Sequence, residues 1–282
     1  MIPPGETIGI LGGGQLGRMI AMAAAQLGYR CHVFAPEADS IAADVCGGFT
    51  CADWGDVAAM ARFAADCAVI TYEFENVPVG PLAALGGVPV LPHPRALETA
   101  QDRLAEKRFV TELGGTPAPF AAVDGDDDLA TAMARIGTPG ILKTRRDGYD
   151  GKGQWRLTAP EQAAHLDLPA VPLIYEGFVT FEAEFSVILC RGADGDIRFW
   201  DSAENVHKGG ILSRSTVPAS GFVQAQVADA RALGARVAEA LDYVGVLTLE
   251  FFATAQGPVF NEMAPRVHNS GHWTIEGAIT SQ

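Results

Sequence analysis

Nowhere does the sequence sustain the roughly 18 consecutive apolar residues that a membrane-spanning helix requires, which argues against a membrane partner. The opening residues Met1 to Glu6 have neither the basic start nor the apolar stretch of an export signal, so a cytoplasmic protein is the expectation. Cysteine is scarce: the five residues Cys31, Cys46, Cys51, Cys67 and Cys190 include no C-x-x-C pair, and their odd number argues against a disulfide framework. Positive charge is also in short supply, with 20 Lys and Arg against 34 Asp and Glu and a formal net charge of −14. Nucleic acid normally meets a basic surface, so that class of partner is disfavoured. What is there is a chain of 282 residues, 48% hydrophobic and 19% charged, long enough for two domains with cores of their own. The few cations are unevenly spread, because Lys143, Arg145, Arg146 and Lys152 fall within ten positions. A small anionic ligand is therefore compatible with the acidic whole.

The N-terminal part reads as alternating strands and helices. Thr7 to Leu11 is a short apolar strand that enters the turn Gly12-Gly13-Gly14-Gln15-Leu16-Gly17 and an alanine-rich helix; Arg30 to Phe34 is the next strand, with Glu37 after it. This is the G-x-G-x-x-G pattern in strand, turn and helix context, where backbone N–H groups at a helix N-terminus can hold an anion. A nicotinamide cofactor, another phosphorylated ligand and a merely tight turn all satisfy it. A helix over Trp54 to Ala64 and a strand over Ala68 to Tyr72 follow. In an open parallel sheet ligands bind beyond the strand C-terminal ends, which would gather Gln15, Glu73, Glu75 and Asn76; the plainer alternative is that these residues solvate a loop before Pro78. A proline-rich boundary over Val88 to Pro94 closes this unit, and one helix is expected from about Arg95 to Leu113, carrying Asp102, Arg103 and Lys107.

Beyond Thr116 the pattern changes. Gly140 to Arg146 reads as a strand, Asp147 to Gln154 as a glycine-rich loop, and Trp155 to Leu157 as the returning strand. Glycine frees backbone to wrap phosphate oxygens while lysine and arginine neutralise them, so a phosphate-contacting lid is favoured over a plain surface hairpin. Antiparallel strands are expected at Pro172 to Val179, Phe181 to Cys190, Ile197 to Asp201 and Glu204 to Ile211, and an amphipathic helix between Phe222 and Leu241. The last hairpin, Val246 to Phe252 and Val259 onward about Gln256-Gly257-Pro258, carries the sharpest signal. A turn centred near Gln256 sets Glu250 opposite Glu262 on one face. Two carboxylates about 5 Å apart repel by roughly 3 kcal/mol at an effective dielectric of about 20. They need a proton or a cation between them, and hard oxygen donors suit Mg²⁺. A register shifted by one would instead turn one of the two to solvent.

Together these features resemble the ATP-grasp superfamily. Within it, the strings from Gly12 to Met19, Tyr72 to Val77, Gly148 to Gln154 and Asn261 to Thr274 closely resemble the family of ATP-dependent 5-(carboxyamino)imidazole ribonucleotide synthases, across essentially the whole chain. The resemblance implies a mixed α/β and α+β chain: an N-terminal Rossmann-like domain over 1–94 and an ATP-grasp domain over 95–282, with a lid subdomain at about 116–177 and an antiparallel ATP-binding sheet. It also implies a further small C-terminal domain past the segment equivalent to Thr274 to Gln282, bearing basic residues for a ribonucleotide phosphate. The implied substrates are ATP, bicarbonate and 5-aminoimidazole ribonucleotide, with Mg²⁺ as cofactor, no nucleic acid, and a homodimer through the N-terminal domain.

By motif, Arg103 and Lys143 would touch ATP phosphates under a loop of Gly148, Tyr149, Asp150, Gly151, Lys152, Gly153 and Gln154. The linker Glu176, Gly177, Phe178 and Val179 would hold adenine through its backbone, Glu184 the ribose hydroxyls, and His207 would lie along the nucleotide. Glu250 and Glu262, with Asn261 beside them, would hold Mg²⁺. Arg266, His268 and Asn269 would bind bicarbonate and carboxyphosphate, while Gln15, Glu73, Asn76, Tyr149, Asp150 and Lys152 would face the aminoimidazole ribonucleotide. His268 and His272 also read as structural imidazoles. Rival readings are a formate-dependent glycinamide ribonucleotide transformylase, a non-catalytic nucleotide-binding protein, and an NAD-dependent oxidoreductase built on Gly12, Gly14, Gly17 and Glu37; the last leaves the lid and the carboxylate pair without a task.

Overall fold

The computed structural model describes residues 2–148, 153–166 and 168–282. Tyr149, Asp150, Gly151 and Lys152, expected at the tip of the lid loop, lie outside the described residues. The first sheet is parallel, β1 (Thr7–Leu11), β2 (Arg30–Ala35), β3 (Gly48–Cys51) and β4 (Val69–Tyr72), in the order β3-β2-β1-β4. Successive side chains point to opposite faces of a strand, and here both faces are covered. Ile10, Val33 and Ala35 meet Ala21 and Ala24 of α1 (Gln15–Gln26), while Leu11, Phe34, Ile70 and Tyr72 meet Met60 and Phe63 of α2 (Val57–Ala65).

The expected helix from Arg95 to Leu113 is two helices, α3 (Pro94–Ala100) and α4 (Arg103–Glu112). The break has a local cause. Asp102 leaves helical geometry and accepts N–H bonds from Leu104 and Ala105, capping α4, while Gln101 donates to the carbonyls of Glu75 and Val77. The second sheet contains β5 (Phe120–Val123), β6 (Gly140–Thr144), β7 (Gln154–Leu157) and β8 (Leu173–Gly177), in the antiparallel order β5-β8-β6-β7. Leu142, Leu157, Leu173 and Tyr175 pack on Leu129, Ala132 and Met133 of α5 (Asp126–Ile136).

The third sheet has six strands. Five follow the path β12-β11-β9-β13-β14 and β10 pairs with β9; their ranges are β9 (Ala183–Arg191), β10 (Ile197–Phe199), β11 (Ala203–Lys208), β12 (Ile211–Thr216), β13 (Gly245–Thr254) and β14 (Gly257–Ala264). The strand expected over Glu204 to Ile211 turns at Gly209-Gly210, both with positive φ, and returns as β12. The amphipathic stretch is also divided, into α6 (Gly221–Gln224) and α7 (Val227–Ala240), with Gln226 between them donating to the carbonyl of Thr254. Ala230, Leu233 and Val237 recur at helical spacing and pack on Val187, Leu189, Leu247 and Leu249. A short α8 (Thr274–Gly277) follows the hairpin.

Strand β14 lies at the sheet edge, where unpaired backbone groups need partners. Its first half is covered by the N–H of Phe260 bonding to the carbonyl of Thr116 at 2.8 Å, and its second half by α4.

Asp102 also binds Arg145 through both carboxylate oxygens, at 3.1 and 2.6 Å. Burial alone would raise its pKa, but the Arg145 guanidinium and the capping N–H groups outweigh burial and hold it below 3.8. A depressed pKa gives stability that is present above the unfolded value and lost as the pH falls through the folded one. Asp102→Ala is expected to lower unfolding free energy by about 1–2 kcal/mol at neutral pH. The difference from wild type should shrink in acid, as measured by denaturant titration at both pH values.

Candidate active site

The hairpin of β13 and β14 sets Glu250 opposite Glu262. It does so through a bulge. The tight turn pairs Thr254 with Gly257 and Phe251 with Phe260, a register that if continued would bring Asn261 opposite Glu250. An irregularity at Glu250/Phe251 leaves Asn261 unpaired and restores Glu262 to the facing position. Burial and the Glu262 charge push the Glu250 carboxyl up to about 8. Glu262 goes the other way: burial opposes its ionisation, but Arg103 and Lys143 hold its pKa below the usual carboxylate value. One member of the pair therefore favours a proton at neutral pH, the mark of a site short of positive charge.

Helix α4 supplies the nearest cations. Arg103 meets Glu262 Oε2 at 3.1 Å and donates to the carbonyl of Gly148 at 2.8 Å, so a single guanidinium joins the hairpin to the lid loop. One turn on, Lys107 donates to the carbonyl of Asn261 at 3.1 Å, and Glu106 accepts the N–H of Met263 at 2.7 Å. Lys143 on β6 lies 2.9 Å from Glu176 Oε2, and Lys107 lies 3.4 Å from the same atom. Both lysines pull the Glu176 carboxyl down to about 2, against burial.

These groups face a cavity of about 610 Å³, within the range of small-molecule sites. Arg103, Lys143, Gly148, Gln154, Glu184, His207, Glu250, Asn261, Glu262, Arg266, His268 and Asn269 line it, and so do Gln15, Glu73 and Asn76 from the first sheet. Phe252, Ile141 and Leu212 give it an apolar wall beside Glu184 and His207. Glu184 Oε2 is 2.7 Å from His207 Nδ1, and that hydrogen bond raises the imidazole pKa in spite of burial. Arg266 is paired with Glu75 at 2.6 Å. His268 has Nδ1 2.8 Å from Ser270 Oγ and Nε2 3.6 Å from Glu250; burial and Arg266 lower its pKa to about 3, so it is a neutral imidazole.

The glycine turn behaves differently from a dinucleotide seat. Glu73 Oε1 accepts the N–H of Gly14 at 2.7 Å, and a Cβ at Gly12, Gly14 or Gly17 would meet the same side chain. The anion position at the start of α1 thus holds the chain's own carboxylate, which removes the physical basis of the nicotinamide reading. The linker is anchored to its own sheet. Glu176 is committed through its side chain to two lysines, the N–H groups of Gly177 and Phe178 bond to the carbonyls of Pro119 and Pro139, and Phe178 stacks under Arg156. None of Glu176, Gly177, Phe178 or Val179 lines the cavity. Gly153 borders it without lining it, its positive φ placing its carbonyl on the Thr144 N–H. His272 stands apart, with Nε2 buried and unpartnered among the described residues.

Sequence reasoning passed over Glu106 and Lys107 as site residues. Their signal was available in retrospect: two charges on the face of an otherwise amphipathic helix, at the spacing that continues from Arg103. Among the described residues no cluster of three His, Cys, Asp or Glu is grouped for a metal. The paired carboxylates are hard donors whose mutual repulsion a divalent cation relieves, and they fit Mg²⁺ with the remaining coordination left to water and phosphate.

A pH test isolates one arm of this site. Glu184→Gln removes the bond that raises His207, so that imidazole should titrate lower than in wild type, read from its Cε1 proton by NMR. The stabilisation from the pair is present below 6.5 and is lost as the pH rises through the higher folded value.

The same arrangement of chain is found among known proteins. The Ribonucleotide synthetase preATP-grasp domain matches residues 5–101 and the ATP-grasp domain matches residues 108–282. The N5-carboxyaminoimidazole ribonucleotide synthase of Brucella melitensis is 50% identical over 287 residues, which cover 100% of this chain and 79% of the relative. The crystal structure of N5-carboxyaminoimidazole ribonucleotide synthetase from Thermus thermophilus superposes with a TM-score of 0.91 at 48% identity, covering 97% of this chain and 75% of that one. That of N5-carboxyaminoimidazole synthase from Aspergillus clavatus, in complex with ADP and 5-aminoimidazole ribonucleotide, gives a TM-score of 0.86 at 27% identity, covering 96% and 73%. With a family match over each sheet-bearing part and half its residues shared with the Brucella enzyme, the chain belongs to the N5-carboxyaminoimidazole ribonucleotide synthase family of ATP-grasp proteins.

Proposed function

We propose that the chain catalyses the ATP-dependent carboxylation of 5-aminoimidazole ribonucleotide with bicarbonate, through carboxyphosphate, in purine biosynthesis. The observation that carries this reading is that one cavity joins two unlike walls: facing carboxylates with cations on one side, and the polar strand ends of the parallel sheet on the other. Such a cavity offers places for a nucleotide and a second small substrate side by side. The names of the relatives, and the ADP and 5-aminoimidazole ribonucleotide bound in the Aspergillus structure, support the choice of substrates.

In this reading Arg103 and Lys143 meet the ATP phosphates, beside Gly148 and Gln154. The apolar wall of Phe252, Ile141 and Leu212 takes the base, with backbone groups of the Glu176 to Val179 linker at its edge, and Glu184 accepts from the ribose hydroxyls beside His207. Glu250 and Glu262, with Asn261, hold Mg²⁺, which when bound neutralises phosphate charge. Arg266 presents a planar fork to bicarbonate, for which it exchanges Glu75; a guanidinium suits that planar anion better than an ammonium would. His268 and Asn269 complete that subsite, and the neutral imidazole offers a hydrogen bond without adding charge. Gln15, Glu73 and Asn76 face the aminoimidazole ribonucleotide.

A bicarbonate oxygen attacks the γ-phosphorus and ADP leaves, with the cations stabilising charge on the transferring group. The substrate amine then takes the carboxyl group from carboxyphosphate, or from the CO₂ it releases, and inorganic phosphate departs. Carboxyphosphate is a short-lived mixed anhydride, so the lid serves chiefly to keep water out.

ADP formation should require both bicarbonate and 5-aminoimidazole ribonucleotide; a rate indifferent to both would make the protein an ATP hydrolase, and no ADP formation at all would reduce it to a nucleotide binder. Glu262→Gln should lower Mg²⁺-dependent turnover by about 100-fold or more while circular dichroism stays native. Near-normal turnover in that variant would remove Glu262 from the metal site.

A further inference from the structure

We propose that Lys107 is a positioning residue of the phosphate site: it keeps Glu176 neutralised so that Lys143 can turn to the nucleotide, and it pins the bulge from which Glu262 projects. The inference rests on the reading of the cavity as an ATP site.

Two lysines converge on one atom. Lys143 and Lys107 lie 2.9 and 3.4 Å from Glu176 Oε2, and Glu176 Oε1 has no partner among the described residues. The lysines are not equivalent. Lys143 lines the cavity, whereas Lys107 does not and has a side chain only 2% exposed. A buried carboxylate stripped of its last cation is strongly disfavoured. If Lys143 were the only partner of Glu176, its move toward a phosphate would strand that charge. With Lys107 in place, Lys143 can leave and Glu176 remains paired.

The second contact of Lys107 explains why it stays. Its Nζ donates to the carbonyl of Asn261 at 3.1 Å, and Asn261 is the residue that the bulge leaves without a partner on β13. The next residue of the same helix, counting back, holds the other side: Glu106 accepts the N–H of Met263 at 2.7 Å. Consecutive residues of α4 therefore grip the backbone on either flank of Glu262, while Arg103 holds its carboxylate at 3.1 Å. The facing position of Glu262 exists only because of the bulge, so the lysine that satisfies the bulge carbonyl also sets the carboxylate geometry.

The two tasks separate in a pair of variants. Lys107→Met leaves Lys143 as the only cation on Glu176 and releases Asn261. ADP affinity, measured by calorimetry with Mg²⁺ present, should fall at least 10-fold, the KM for ATP should rise similarly with a smaller change in kcat, and the Mg²⁺ concentration for half-saturation should increase. Adding Glu176→Gln frees Lys143 again, so the double variant should recover most of the ADP affinity while its Mg²⁺ requirement stays raised. A purely structural role would not produce that split.

A folded Lys107→Met protein with ADP affinity and Mg²⁺ requirement within twofold of wild type overturns the proposal. Should that variant fail to fold, the double variant, which leaves no stranded carboxylate, decides: a wild-type Mg²⁺ requirement overturns it. Because ADP binding involves neither bicarbonate nor the amine, loss of acceptor dependence in wild type would sink the proposed reaction without touching this result. Failure of wild type to bind ADP with Mg²⁺ would sink both.

Discussion

The confrontation of Glu250 with Glu262 is the constraint around which the third sheet and its neighbours are arranged. Two carboxylates on adjacent strands are a liability in a buried setting, and their charge is answered unevenly. Arg103 and Lys143 favour ionised Glu262, while Glu250 has the more distant charge of His207, a hydrogen bond from the Asn261 side chain and the neutral His268 beside it. The asymmetry leaves a defined deficit of positive charge between the strands. A divalent cation arriving with a triphosphate would correct that deficit, which would tie the affinity of the site to the ligand proposed for it.

Edge protection and the candidate site draw on the same helix. A bare strand edge invites pairing with other chains, and β14 ends a sheet. Helix α4 covers that edge with side chains rather than with another strand, because the bulge has turned the Asn261 carbonyl and the Met263 N–H away from β13. The Lys107 ammonium makes a charge-assisted bond to the Asn261 carbonyl, while Glu106, whose carboxyl burial pushes up to about 8, still accepts the Met263 N–H. The helix is short because Asp102 starts it afresh, and that fresh start puts Arg103, Glu106 and Lys107 on the face toward the hairpin.

Much of this was legible in the order of residues, for reasons that differ from place to place. The parallel sheet follows from short apolar runs separated by glycine turns and helices. The pairing of Glu250 with Glu262 follows from a constant index sum, yet the expected turn centre and the straight ladder were both slightly off, and the bulge compensates for the difference. No local pattern announces a bulge, which depends on what waits outside the strand. The helix breaks at Asp102 and at Gln226 were hidden for the same reason: their side chains bond to Arg145 and to Thr254, distant in sequence. Lys107 is given no role by the sequence reading, because nothing in a helical pattern reveals that a charge is to be buried against a carboxylate on another sheet. Arg103, Lys143, Glu184, His207, Arg266 and His268, drawn from separate motifs, line one cavity.

The carboxylate of Glu73 in the glycine turn has a consequence for how the molecule tells its ligands apart. A phosphate group approaching the start of α1 encounters a seat already filled by an anion bonded to Gly14, in a turn with no room for a larger occupant. The glycine turn is thus closed by the protein's own side chain, and this wall offers the cavity the side chains of Gln15, Glu73 and Asn76 instead of bare backbone N–H groups.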